Sequence, residues 1–209
     1  QCTVEGYLER IAYKGPLDHS YKTLAALQEA HLKAVPYENL DIIYGVPLSL
    51  EIPDLYHKIV IQRRGGYCFE SNALFRWLLL ELGFPVTSYM ARFLRDEVGI
   101  PMRRHQVLKV ETEDGASYIC DVGVGGNIPT WPYPLVLDKV YHQDNGSYRL
   151  QKDDFLGWVL EEIRQDQWSQ LYSFTEELQL PIDFIMPSFY CEHSPDSPFT
   201  QRTMVSLRT

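Results

Sequence analysis

Arg64-Gly65-Gly66-Tyr67-Cys68-Phe69-Glu70 places a cysteine where a glycine turn runs into an apolar helical stretch. Two glycines let the backbone bend and let a second element approach closely. The first turn of a helix offers unpaired N–H groups and the positive end of the helix dipole. Both favour thiolate over thiol. A free cysteine taken alone reads as a small buried hydrophobe, and the glycine turn with the helix start reverses that preference. The helix is the clearest in the chain, because Phe75, Leu78, Leu79 and Leu82 recur at i, i+3, i+4 and i+7, and Gly83 with Pro85 stops it.

Upstream, Asp18 or Ser20 caps a helix carrying Leu24, Leu27, His31 and Ala34, ended by Pro36, and Pro53 suits an early helical position ahead of Leu55 and Ile59. Downstream of Pro85 the apolar period changes from helical to alternating. Strands are expected at 86–93, 104–111, 117–122, 147–152, 155–163 and 168–174, with Asn145-Gly146 as a turn signal. After Pro181 come one short helical stretch, a Pro- and Ser-rich turn and a last strand-like segment at 203–207. Helices first and strands second define an α+β chain with segregated lobes, the strands forming an antiparallel meander or small barrel.

His105 and Asp121 fall on neighbouring expected strands, so Cys, His and Asp occur in the order of an acyl-transfer triad. Singly, His105 reads as a surface strand histidine and Asp121 as a cap on the glycine loop that follows; their coincidence with Cys68 favours a shared role. Register tests this. If Asp114-Gly115 forms a two-residue turn, His105 and Asp121 lie on opposite faces of the sheet. A type I turn over Thr112 to Gly115, with Gly115 left-handed, makes a three-residue loop and puts both on one face as diagonal neighbours. The functional reading therefore demands a glycine at this position, and Gly115 supplies it.

Composition excludes several classes. The 209 residues are 45% hydrophobic and 22% charged, with a net charge of −9 and no apolar run long enough to span a bilayer. Neither a nucleic-acid nor a membrane partner is expected. Arg92, Arg95, Arg103, Arg104 and Lys109 leave room for a local anion site. The four cysteines are widely separated and form no Cys-x-x-Cys pair, so no metal site is expected and they read as reduced thiols of a cytoplasmic protein. Gly123-Val124-Gly125-Gly126 offers backbone amides to a phosphate but lacks the lysine and helix of a nucleotide loop, and reads equally as a tight exit from the Asp121 strand. Glu38 and Arg64 are expected to pair and hold the turn before Cys68.

Val35-Pro36-Tyr37-Glu38-Asn39-Leu40-Asp41, Arg63 to Asn72, Asp121 to Gly126 and Ser194-Pro195-Asp196-Ser197-Pro198-Phe199 together resemble the arylamine N-acetyltransferase family. The resemblance implies a catalytic triad of Cys68, His105 and Asp121. It implies a helical lobe over 1–85 carrying the nucleophile and a β-barrel lobe over 86–176 carrying His and Asp. The start of a C-terminal α/β lid follows at 177–209, most of that lid being expected to lie outside the sequence, and the core resembles that of cysteine proteases. It implies ping-pong acetyl transfer from acetyl-CoA, as co-substrate, to a small aromatic amine, hydrazine or N-hydroxyarylamine. Arg104, Gly125 and Gly126 are the expected coenzyme contacts, and Tyr67, Phe69 and Val124 the expected acceptor contacts. Val124 departs from the aromatic usual in the family's glycine loop, which reshapes the acceptor side. Two rivals share these residues: a cysteine hydrolase or peptidase, and a non-catalytic binding protein on the same fold.

Overall fold

The computed structural model describes residues 1–209. Its first part holds α1 (Val4–Arg10), α2 (Tyr21–Ala34), α3 (Leu40–Ile43), α4 (Ile52–Tyr56) and α5 (Cys68–Glu81). Both expected capping residues of α2 are used. Asp18 Oδ1 accepts from the Ser20 hydroxyl at 2.5 Å, and Ser20 Oγ in turn accepts the Thr23 N–H at 3.2 Å. The α1 helix was not anticipated, because its seven residues are too few to display a period; Thr3 caps it through the Gly6 N–H. A π-helical turn at His57–Ile61 prolongs α4. Carbonyls around it are taken by Arg10, which donates to Ile59 O, Ala34 O, Arg63 O and Arg64 O.

The second part is one antiparallel sheet of β2 (Val86–Phe93), β3 (His105–Glu111), β4 (Ser117–Cys120), β5 (Tyr133–Pro134), β6 (Val140–Gln143), β7 (Gly146–Asp153), β8 (Gly157–Arg164) and β9 (Gln167–Gln179). In the order β5-β4-β3-β2-β9-β8-β7-β6 they curl into a nearly closed barrel. Helices lead and strands follow, as the change of period requires. The strand expected to reach residue 122 stops at Cys120, because the N–H groups of Asp121 and Val122 turn to the side chains of Gln28 and Asn72. The one expected from residue 155 begins at Gly157, because Phe155 and Leu156 N–H both bond Asp153 Oδ1. The tail strand shrinks to β10 (Val205–Ser206), which pairs with β1 (Tyr37–Glu38).

The β3–β4 hairpin carries the decisive register. Leu108 lies opposite Cys120, Thr112 N–H bonds Ala116 O at 3.0 Å, and Gly115 has φ +79°, the left-handed residue of a three-residue loop. One step further along, Asp121 falls level with Val107, two residues from His105 and on the same face. A non-glycine residue at this loop position would meet its own Cβ penalty.

A core of 32 buried residues is continuous from Leu24, Leu27, Phe75 and Leu78 in the helices to Val107, Leu108, Ile119 and Leu171 in the sheet. A second cluster of seven, including Ile42, Tyr67, Cys68, Phe69 and Phe199, forms where α6 (Ile185–His193) and α7 (Pro198–Gln201) cover the start of α5. No helix is long and apolar enough to cross a membrane.

His31 is sealed inside the first core, its Nδ1 2.7 Å from Tyr7 Oη and its Nε2 without a partner. Burial, reinforced by the Arg10 charge, lowers it from the ordinary 6.5 to about 3. A depressed value favours the neutral ring, so this stability is present above pH 6.5 and is lost as pH falls toward 3. His31 alone should contribute a fall of up to about 1.4 kcal/mol per pH unit below 6.5, read as a difference between two proteins that share every other titrating group. Unfolding free energies of wild type and His31→Leu from urea titrations at pH 6.5 and 5 should change relative to one another, the wild type losing ground as pH falls; a constant difference would refute the assignment.

Candidate active site

The turn before Cys68 is held by buried charge. Arg64 lies 2.9 Å from Glu38 Oε1 and 2.7 Å from Asp41 Oδ1, so the expected Glu38–Arg64 pair forms and is part of something larger. Lys58 Nζ, within the π-helical turn, lies 2.8 Å from Asp41 Oδ2 and 2.6 Å from Glu70 Oε1. The other Glu70 oxygen accepts the Tyr67 N–H at 3.1 Å, closing the first turn of α5. Burial pushes Glu70 up to about 7 while Lys58 pulls it down. For Lys58 burial opposes the charge, but Glu70 and Asp41 together raise it. Neither Lys58 nor Asp41 stood out in the sequence, where no spacing marks them as partners.

From that turn Cys68 enters the cavity. Its Sγ donates to Arg104 O at 3.7 Å, the carbonyl immediately before His105. His105 Nε2 lies 2.6 Å from Asp121 Oδ2, and His105 lines the same cavity as Cys68. The imidazole is held between rings, with Phe93 at 6.0 Å and Tyr172 at 5.5 Å between centroids. Burial pushes the Cys68 thiol well up, Cys191 and Asp121 push the same way, and the Phe69 N–H lowers it.

Asn72, one turn beyond Cys68 on α5, ties the three elements together. Its Nδ2 donates to Gln106 O on β3 at 2.9 Å and to Asp121 Oδ1 at 3.0 Å, and its Oδ1 accepts the Val122 N–H at 3.0 Å. Asp121 Oδ1 also accepts the Gly123 N–H at 2.8 Å, so both carboxylate oxygens are fixed. Gly123 itself sits against the helix: a Cβ there would come 2.6 Å from Cys68 Cα and 2.5 Å from Asn72 Nδ2. The only local signal for Asn72 in the sequence is its i+4 spacing from the cysteine.

The cavity, of about 500 Å³, is lined by Cys68 and His105 with Val124, Gly125, Gly126 and Arg104 among others. Tyr67 and Phe69 do not reach it. Tyr67 Oη bonds Ser188 Oγ at 2.7 Å and its ring meets Phe199, while Phe69 faces Phe184 at 5.8 Å. Residues flanking Cys68 on a helix necessarily point away from its direction, and here they anchor α6 and α7. Arg104 lines the cavity with its charge matched by Glu97 at 2.5 Å.

Residues 20–209 match the N-acetyltransferase family model. The arylamine N-acetyltransferase of Escherichia coli K12 is 38% identical over 202 residues, which are 95% of this chain and 70% of that protein. The structure of the arylamine N-acetyltransferase of M. tuberculosis superposes with a TM-score of 0.93 at 36% identity, over 99% of this chain and 78% of that one. That of the Mycobacterium marinum enzyme in complex with CoA gives 0.93 at 34% identity, with the same coverage. The chain belongs to the arylamine N-acetyltransferase family of enzymes.

Asn72→Ala should lower stability by about 1–3 kcal/mol, since it strips a buried N–H and a buried carbonyl of their partner. Denaturation midpoints measure it; an unchanged midpoint would mean that other groups satisfy Val122 and Gln106.

Proposed function

We propose that this protein transfers an acetyl group from acetyl-CoA to the nitrogen of an arylamine, hydrazine or N-hydroxyarylamine, through an acetylated Cys68. The observation that carries the reading is His105 Nε2 at 2.6 Å from a doubly anchored Asp121, in the cavity that Cys68 lines. His105 takes the thiol proton, and Asp121 stabilises the imidazolium and fixes the tautomer that leaves Nδ1 toward sulfur. The thiolate adds to the thioester carbon. The Cys68 N–H, first in its helix and without a carbonyl of that helix to bond, is a donor for the resulting oxyanion. Collapse expels the coenzyme thiolate, which His105 protonates. A neutral amine then attacks the acetyl-cysteine, His105 accepts the amine proton, and the Cys68 thiolate leaves.

The family relationship and the CoA complex of the M. marinum relative support acetyl-CoA as the donor. Val124, 8% exposed and on the cavity wall, is the candidate acceptor contact.

Incubation with acetyl-CoA alone, read by intact mass, should give one acetyl adduct on Cys68. Asp121→Asn should reduce its rate of formation by two or more orders of magnitude, because a neutral amide cannot support the imidazolium. An adduct on another residue, or a normal rate in Asp121→Asn, would overturn the mechanism.

Val124→Phe should change the ratio of specificity constants between a small aniline and a bicyclic arylamine about tenfold, as a ring contact contributes on the order of 1 kcal/mol beyond its area. Steady-state kinetics with the two acceptors measure it; an unchanged ratio removes Val124 from the acceptor wall.

A further inference from the structure

Three arginines line the cavity, and two have their charge matched. Arg95 is bidentate on Glu162, at 2.7 and 2.8 Å, and also donates to Asn127 O. Arg104 is held by Glu97 at 2.5 Å. The remaining carboxylate of the wall, Asp96, is matched by Arg164 at 2.9 Å. Arg202 differs from the others. Its backbone carbonyl is held by Asn39 Nδ2 at 2.9 Å, which fixes the residue in place after α7. Its exposed side chain makes no ion pair and no hydrogen bond with the protein. Pairing elsewhere thus leaves this wall with one uncompensated positive charge, carried by a planar donor fork that suits phosphate.

A second observation concerns the same cavity. The N–H groups of Val124, Gly125 and Gly126 donate to no acceptor within the protein, and Gly126 has φ +95°. Successive free amides in a glycine loop form a concave donor surface for an anion. Arg202 and this loop are both on the wall that Cys68 and His105 share.

Resting on the acetyl-CoA reading above, we infer that Arg202, and not Arg104, docks the phosphate groups of the acetyl donor. With the phosphates held by Arg202 and the loop amides, the uncharged arm of the donor is left to carry the acetyl thioester toward Cys68. Arg104 cannot serve equally without first breaking its pair with Glu97.

The test compares acetyl-CoA, dephospho-acetyl-CoA and phosphate-free S-acetylpantetheine as donors for wild type, Arg202→Gln, Arg202→Lys and Arg104→Gln. Arg202→Gln should raise KM for acetyl-CoA about tenfold with kcat within a factor of two, and lower the preference for acetyl-CoA over S-acetylpantetheine by the same factor. Arg202→Lys should keep most of that preference, and Arg104→Gln should leave it larger than Arg202→Gln does. Where the loss is the same with dephospho-acetyl-CoA, the pyrophosphate is the docked group; where it disappears, the terminal phosphate is. An unchanged preference in Arg202→Gln, or an equal loss with all three donors, would overturn the inference while leaving the acetyl transfer reading intact. A wild-type protein that accepts no acetyl group from acetyl-CoA would overturn both.

Discussion

The side chain of Asn72 is the constraint on which the site depends. Three hydrogen bonds from one fully buried amide join the cysteine helix to β3 and to the segment leaving β4. Amide geometry is rigid, so these bonds fix relative positions that apolar packing alone leaves free to slide. Gly123 is the complement of this arrangement, since its missing side chain is what allows the loop to lie against Cys68 and Asn72. Distances within the site thus follow from contacts between elements remote in sequence, and the core of 32 residues supplies the cohesion behind them.

The turn ahead of Cys68 is secured by ions. Lys58, Arg64, Glu38, Asp41 and Glu70 alternate in sign through one partly buried network, and Arg10 collects four carbonyls nearby. Such a network costs desolvation and is a poor source of net stability, but removing one member strands a buried charge. Its consequence is geometric: Glu70 bonds the Tyr67 N–H, so the ionic network and the first turn of α5 move as one.

The same burial that orders the site sets its electrostatics. A desolvated thiol resists ionisation, and at Cys68 the Phe69 N–H opposes that effect while Asp121 and Cys191 add to it. The tail contributes by covering: Phe199 and Ser188 close over Tyr67, while Asn39 holds the backbone of Phe199, Arg202 and Met204 beside the cavity. Residues flanking Cys68 therefore belong to packing, and the open wall is built from the glycine loop and the segment after α7.

Much of this could be read from the chain before folding. The α5 helix with Cys68 at its head and the change to alternating strands after Pro85 are decided by neighbours within about ten residues, where period and turn chemistry operate. The turn at Gly115 allowed two registers, and the three-residue loop that forms puts His105 and Asp121 on one face. What could not be read were partnerships: that Asn72 bonds two strands, that Glu97 matches Arg104 while nothing matches Arg202, that Tyr67 and Phe69 serve the tail and not the cavity. Sequence determined which residues could take part, because local conformation depends on local chemistry. Only the tertiary structure decided which of them meet, because that depends on the long-range closing of the core, and every charge or amide buried there must find its partner wherever the fold brings one.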